Sequence, residues 1–327
     1  MRIDAGAAVA AGIAFAAGIV FAWGAEARQI FVSNEKGNSI TIVDGKTLEK
    51  VKDVPVGNRP RGIILSPDGK WLYICASDDN TIQVMDTTTH EIVRDLPSGP
   101  DPELLDISPD GKTIYAANED DNMVTVIDVE SAAVLSEIPV GVEPEGMGIS
   151  HDGKWLVNTS ETTNMAHFID TETFDITDNV LVDQRPRFAQ FTSDDAEVWV
   201  TAEIGGTVSV IDNATRQIKK KIGFEIPGVP TEAIQPVGAR ISKDRKWAFV
   251  ALGPANRVAV IDAQTLEVEK YLLVGQRVWQ LDFSPDEKFI YSTNGVSNDI
   301  SVIDVEALEV TKSVGVGRFP WGVAVKD

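Results

Sequence analysis

The 327-residue chain has one cysteine, three histidines and far fewer basic than acidic side chains, and each scarcity removes a class of function. Cys75 has no partner, so no intramolecular disulfide can form, and a lone cysteine inside the apolar stretch Trp71 to Ala76 reads as an inert core residue. No Cys-x-x-Cys-His is present, which excludes covalently attached c-type haem. His90, His151 and His167 form no pair at metal-ligand spacing, which argues against a copper or zinc centre and against an axial pair for non-covalent haem. The expectation is therefore a protein without haem. Lys and Arg number 29 against 50 Asp and Glu, a formal charge of -21, so the basic face that nucleic acid requires is missing. Neither Gly-x-Ser-x-Gly nor a phosphate-cradling glycine loop occurs.

What the chain has is a period. An apolar-Asp pair recurs at Val43-Asp44, Met85-Asp86, Ile127-Asp128, Ile169-Asp170, Ile211-Asp212, Ile261-Asp262 and Ile303-Asp304, every 42 residues except for one spacing of 50. Short strand-like segments and turn signals at this period predict an all-β fold, a seven-bladed β-propeller with one four-stranded blade per repeat. The turn Ser66-Pro67-Asp68-Gly69 returns at Ser108 to Gly111, Ser150 to Gly153 and Ser284 to Glu287, and Asn38, Asn80, Asn122, Asn164, Asn256 and Asn298 share one further turn position. Pro, Asp, Gly and Asn at such places serve backbone conformation, so these repeats are read as structural. The register also predicts how the ring closes. Trp321 to Val325 supplies the inner strand of a blade whose three outer strands come from Arg28 to Val56, so the N- and C-terminal strands share one blade.

Residues 1–27 differ from the rest. Arg2, a continuous apolar run from Ala7 to Trp23 and Ala25-Glu26-Ala27 predict a signal peptide, followed by one propeller domain over 28–327. Export to the periplasm, with no membrane segment in the mature form, is the resulting expectation, with an uncleaved N-terminal anchor as the alternative.

Second strands reading Ile30-Phe-Val-Ser-Asn34, Ile114-Tyr-Ala-Ala-Asn118 and Ile290-Tyr-Ser-Thr-Asn294, with the Ser-Pro-Asp-Gly turns, resemble YVTN-type seven-bladed propellers. The single-propeller layout and segments such as Arg59-Pro60-Arg61-Gly62 and Phe319-Pro320-Trp321-Gly322 are similar to the β-propeller proteins associated with pyrroloquinoline quinone (PQQ)-dependent catabolism. That resemblance implies a periplasmic, non-catalytic accessory role beside PQQ-dependent alcohol or aldehyde oxidation, with PQQ, a quinoprotein dehydrogenase or another periplasmic protein bound at the channel mouth.

Positions that do not repeat are where a site is expected. Loops entering the inner strands align on Pro60, Pro102, Pro144, Pro186, Pro236, Val278 and Pro320, and the flanking residues differ from blade to blade. Arg61, Arg187, Arg277, Trp279, Phe319 and Trp321 offer guanidinium groups and aromatic faces suited to a flat polycarboxylate such as PQQ. Asp101, Glu103, Glu143 and Glu145 form an acidic arc able to hold a hard cation, calcium or a lanthanide, through oxygen. Arginine and carboxylate that merely neutralise each other around a wet channel form the plain structural alternative. Functional alternatives are a lactonase-like hydrolase using Glu103, Glu145 and Arg187, a metal-binding protein, or a protein-interaction scaffold served by the eight-residue insertion within Gly223 to Gln235.

Overall fold

The computed structural model describes Met1 and residues 28–327; apart from Met1, the expected signal segment lies outside the described residues. Seven four-stranded antiparallel sheets follow one another around a channel. Blade 1 runs from Pro60–Leu65 to Ile92–Pro97, and blades 2 to 6 begin at Pro102–Ile107, Pro144–Ile149, Pro186–Phe191, Ala239–Ile241 and Val278–Phe283. In blade 7 the inner strand Pro320–Lys326 pairs with Gln29–Asn34, which leads outward to Ser39–Asp44 and Glu49–Pro55, so the chain termini close the ring as the register predicts. Among the described residues no helix is long and apolar enough to cross a membrane.

The repeated residues perform the local work expected of their chemistry. In blade 1, Ser66 Oγ donates to Asp68 Oδ1 and accepts from the Trp71 N–H at 2.9 Å, while Gly69 takes a φ of +67°. The apolar-Asp pairs end third strands, where Asp44 Oδ1 accepts from the N–H groups of Lys46 and Thr47 at 2.8 and 2.7 Å. Apolar faces of neighbouring blades meet to form the core, with Trp199, Trp321, Tyr73 and Tyr291 among its largest buried side chains. Cys75 is buried and unpaired, and burial pushes its thiol up, away from a reactive thiolate.

The asparagine column does more than turn the chain. Five of these side chains, with Asn38, reach across the blade junction and accept the N–H of the residue before the next aligned proline or valine. The pairs are Asn38 with Arg59, Asn80 with Asp101, Asn122 with Glu143, Asn164 with Arg185, Asn256 with Arg277 and Asn298 with Phe319. All six acceptor-bound residues have a φ between +52° and +59°, unfavourable for side chains that are not glycine. The asparagine amide offsets that cost and so aims each channel-mouth side chain. Asn256→Ala is expected to lower unfolding free energy in urea by about 1–2 kcal/mol. Asn256→Gly, which relieves the asparagine's own φ of 55° but also lacks the amide, is expected to lose nearly as much. Recovery of full stability in the glycine variant would show that the amide bond to Arg277 contributes nothing.

Candidate functional site

The aligned prolines stand at the start of inner strands that bulge at once. Pro60 faces Ala76, yet the next regular pair is Ile63 with Ile74, and the same shift occurs after Pro102, Pro144, Pro186, Val278 and Pro320. Arg61, Glu103, Glu145, Arg187, Trp279 and Trp321 sit inside these bulges, which re-aim a side chain out of the strand alternation. A second ring comes from the loops after the second strands, where Glu35, Ser77, Glu119, Glu161, Glu203 and Gly295 directly follow the strand and Gly253 stands one residue further on. Only the first ring is picked out in the sequence. The second has the same 42-residue register and the same departure from repetition, and inspecting the loops after the second strands would have found it.

The two rings interlock as one buried ion network. Arg59 Nη2 and Arg61 Nη1 both lie 2.8 Å from Glu103 Oε1, and Arg59 also pairs with Asp101. Arg187 reaches Glu145 at 3.0 Å and contacts Glu161, while Arg185 bonds Glu161 at 2.6 Å. Arg277 bonds Glu203 at 2.8 Å and Gln235 Oε1 at 2.7 Å. The guanidinium groups are thus engaged by carboxylates, as in the plain structural alternative, and Arg61, Glu103, Glu145, Glu161, Arg187 and Glu203 are buried. Arg277 lies flat over Trp279, 4.1 Å from the ring centroid, and Arg61 lies over Trp321 at 4.8 Å. Gly253 and Gly295, where other blades carry Glu, make room: a Cβ on Gly295 would come within 2.5 Å of Trp279 Nε1. Trp321 is completely buried and offers no stacking face to a ligand, and Phe319 stands at the rim beneath Lys36.

Burial dominates the electrostatics. It raises the Glu103 carboxyl to about 7 and the Glu145 carboxyl to about 8, only partly offset by the neighbouring arginines. Burial alone would lower Arg187, yet Glu145, Glu161 and Glu203 hold it more firmly protonated than usual. The acidic arc regroups: Asp101, Glu103 and Glu119 bring carboxylate oxygens within 4.8 Å of one another. Glu143 instead bonds Thr162, and Glu145 faces Arg187. The insertion folds down against the core through Phe224 and Ile234, and its Gln235 is the partner of Arg277.

Below the rings the channel widens into a cavity of about 500 Å³ that opens on the face of the Ser-Pro-Asp-Gly turns. Leu104, Met147, Phe188, Phe191 and Val323 are among its apolar walls. Its polar column is Asp106, Gln190, Arg240 and Asp282. Asp106 and Gln190 each accept an N–H from the next blade's inner strand, at Ile149 and Ile241, and Asp282 accepts from Arg240 at 3.2 Å. Asp106 lies deep in the channel, where burial raises it to about 6. At the mouth stands His151, in the turn position that carries proline in blades 1, 2 and 6. Its Nδ1 lies 3.0 Å from Asp195, whose carboxylate also accepts the N–H groups of His151 and Asp152.

Two family models match parts of the chain. The YNCE-like beta-propeller model matches residues 10–103, and the Cytochrome D1 heme domain model matches residues 72–187. A comparison with curated proteins yields no match. Among solved structures, Kuenenia stuttgartiensis hydrazine synthase aligns with a TM-score of 0.78 and 24% identity, over 85% of this chain and 92% of that one. The dihydro-heme d1 dehydrogenase NirN, solved in complex with DHE, aligns with a TM-score of 0.68 and 17% identity, over 90% and 74%. A putative 6-phosphogluconolactonase from Bacteroides fragilis aligns with a TM-score of 0.76 and 19% identity, over 92% and 99%. The match to the Cytochrome D1 heme domain model overturns the expectation of a protein without haem. The reasoning from scarce histidines fails because a non-covalently held macrocycle needs neither Cys-x-x-Cys-His nor two histidines at fixed spacing; turns far apart in sequence can furnish its contacts, as His151 and Asp195 meet across 44 residues. The seven blades and the YNCE-like match together support a YVTN-type seven-bladed β-propeller.

Proposed function

We propose that the protein is a non-catalytic binding propeller that holds a planar, carboxylate-bearing cofactor of the tetrapyrrole class in the lower channel, in the exported setting expected from residues 1–27. The observation that carries this reading is the cavity of about 500 Å³, walled by apolar side chains and one polar column, with one carboxylate-oriented histidine at its mouth. A carboxylate on one imidazole nitrogen fixes the tautomer and orients the ring, the usual preparation of a metal-ligating histidine. Leu104 and Phe188 would line the macrocycle, Arg240 would offer a guanidinium to a carboxylate substituent, and His151 would supply a ring nitrogen to the iron. When bound, the iron macrocycle supplies electron-transfer or ligand-binding chemistry; the chain's part is to orient it and exclude water. The match to the Cytochrome D1 heme domain model and the likeness to NirN support the same class of ligand.

Titration with haemin, followed by the shift of its Soret band, tests the proposal. Saturable binding is expected at one equivalent, and His151→Ala is expected to abolish the Soret shift while leaving the melting temperature nearly unchanged, since the residue sits in an exposed turn. Absence of saturation, or an unaltered spectrum in His151→Ala, would refute the reading.

The accessory role beside PQQ-dependent oxidation is a second reading, favoured by the part-exposed Arg277 stacked on Trp279 at the opposite mouth. Quenching of tryptophan emission by PQQ that disappears in Trp279→Phe would support it; quenching that persists there would not. A lactonase is less favoured, because Glu103, Glu145 and Arg187 are nearly sealed from solvent and from any substrate.

A further inference from the structure

We infer that the upper channel mouth holds a hard, oxygen-preferring cation, Ca²⁺ or a trivalent lanthanide, between Asp101, Glu103 and Glu119. Three observations carry this. Oxygen atoms of the three carboxylates lie within 4.8 Å of one another. Glu103 is 0% exposed and spends Oε1 on Arg59 and Arg61, so that Oε2 is left buried with no N–H or hydroxyl donor and only the Glu119 carboxyl as a partner. Beside it, Glu145 is 1% exposed, and neither of its oxygens has a donor in hydrogen-bond geometry, although Arg187 Nη2 stands 3.0 Å from one of them. Buried carboxylate oxygens without donors are costly and rare, and a bound cation is the standard way of satisfying several at once.

The charge balance points the same way. Glu35, Asp101, Glu103, Glu119, Glu143, Glu145, Glu161 and Glu203 face Arg59, Arg61, Arg185, Arg187 and Arg277 across the two rings, so carboxylates outnumber guanidinium groups. The donor set contains oxygen alone, with no histidine or cysteine, which selects Ca²⁺ or a lanthanide over zinc or copper. Glu119 is the new member. It enters from the loop after a second strand, whereas Asp101 and Glu103 enter from the loop before an inner strand, so the site exists only where the two rings interlock.

The test uses the full chain, stripped of metal with chelator and desalted. Tb³⁺ is added with excitation of tryptophan, since Trp279 and Trp321 belong to the same network. Ca²⁺ is followed separately by calorimetry and by thermal melting. One saturable site for each ion, competition between them and a Ca²⁺-dependent rise of melting temperature are expected. Glu119→Gln, a part-exposed position chosen because the variant should fold, is expected to weaken Ca²⁺ affinity at least ~tenfold. A surface control, Glu130→Gln, should leave it unchanged. Weak binding at many sites, equal in both variants, would mean that the acidic surface attracts cations non-specifically and would overturn the inference, as would no saturation by either ion below the millimolar range. Haemin binding to the lower cavity is measured independently, so failure at one mouth does not decide the other.

Discussion

A chain that stops at Phe319 is expected to show no cooperative unfolding transition and to collect in the insoluble fraction. The missing segment is the inner strand of blade 7. It is the partner of Gln29–Asn34 and buries Trp321, Val323, Ala324 and Val325 against blades 1 and 6. Full burial of each large apolar side chain contributes about 1.5–3 kcal/mol, so the loss of Trp321 and two valines alone approaches the 5–15 kcal/mol that typically separates folded from unfolded chains. Removal also exposes the unpaired edge of Gln29–Asn34, a template for intermolecular pairing. Differential scanning calorimetry of the truncated chain decides the matter; a single endotherm within a few degrees of the intact protein would show that six blades hold without closure. Addition of the excised strand as a peptide should restore part of the transition.

Arg187→Met should be the most damaging single substitution at the site. Arg187 is 4% exposed and faces Glu145, Glu161 and Glu203, which would be left buried without their central cation. Removing one partner of a buried ion network costs about 3–5 kcal/mol. The loss should depend on pH in a definite direction. Burial raises Glu145 to about 8 and Glu103 to about 7 from an ordinary 4.5, so the folded state binds more protons than the unfolded chain between those values. Stability from these two groups is therefore greatest below pH 4.5 and falls as pH rises toward 8, by at most about 1.4 kcal/mol per pH unit for each group. Turn carboxylates act oppositely: the N–H groups of Thr89 and Thr88 lower Asp86, and its contribution is lost as pH falls through the acid range. In the presence of chelator, urea unfolding should show a less damaged Arg187→Met protein near pH 5 than at pH 8. Glu145→Gln should flatten the pH dependence of the wild type. A deficit in Arg187→Met that is equal at both pH values would remove the electrostatic explanation.

Different parts of the molecule were legible to different degrees. The blades were readable because strand alternation, Ser-Pro-Asp-Gly turns and apolar-Asp pairs are local and recur at fixed spacing. The closing strand was readable because register carries Pro60 onto Pro320. Aligned prolines also marked the face where Arg61, Glu103, Glu145, Arg187 and Trp279 gather. Partner choice was not readable. Arg187 meets Glu161 and Glu203, whose side chains come from loops after second strands, and no single column displays contacts between columns. Trp321 stood out as a displaced aromatic, yet the bulge after Pro320 turns it into the core. His151 looked like one more turn residue, because its contact with Asp195 comes from the neighbouring blade.

By itself the sequence determined the seven blades, their closure by the two ends of the chain and the acidic character of the whole, since periodicity, turn chemistry and charge are properties of the chain read in order. The tertiary structure decided which charges pair, which carboxylate oxygens remain without a donor and where the channel is wide enough for a ligand. Those depend on distances of a few ångströms between side chains from different strands and blades, 42 residues apart for Arg59 and Asp101 and 74 for Arg277 and Glu203, and such distances arise only in the folded ring.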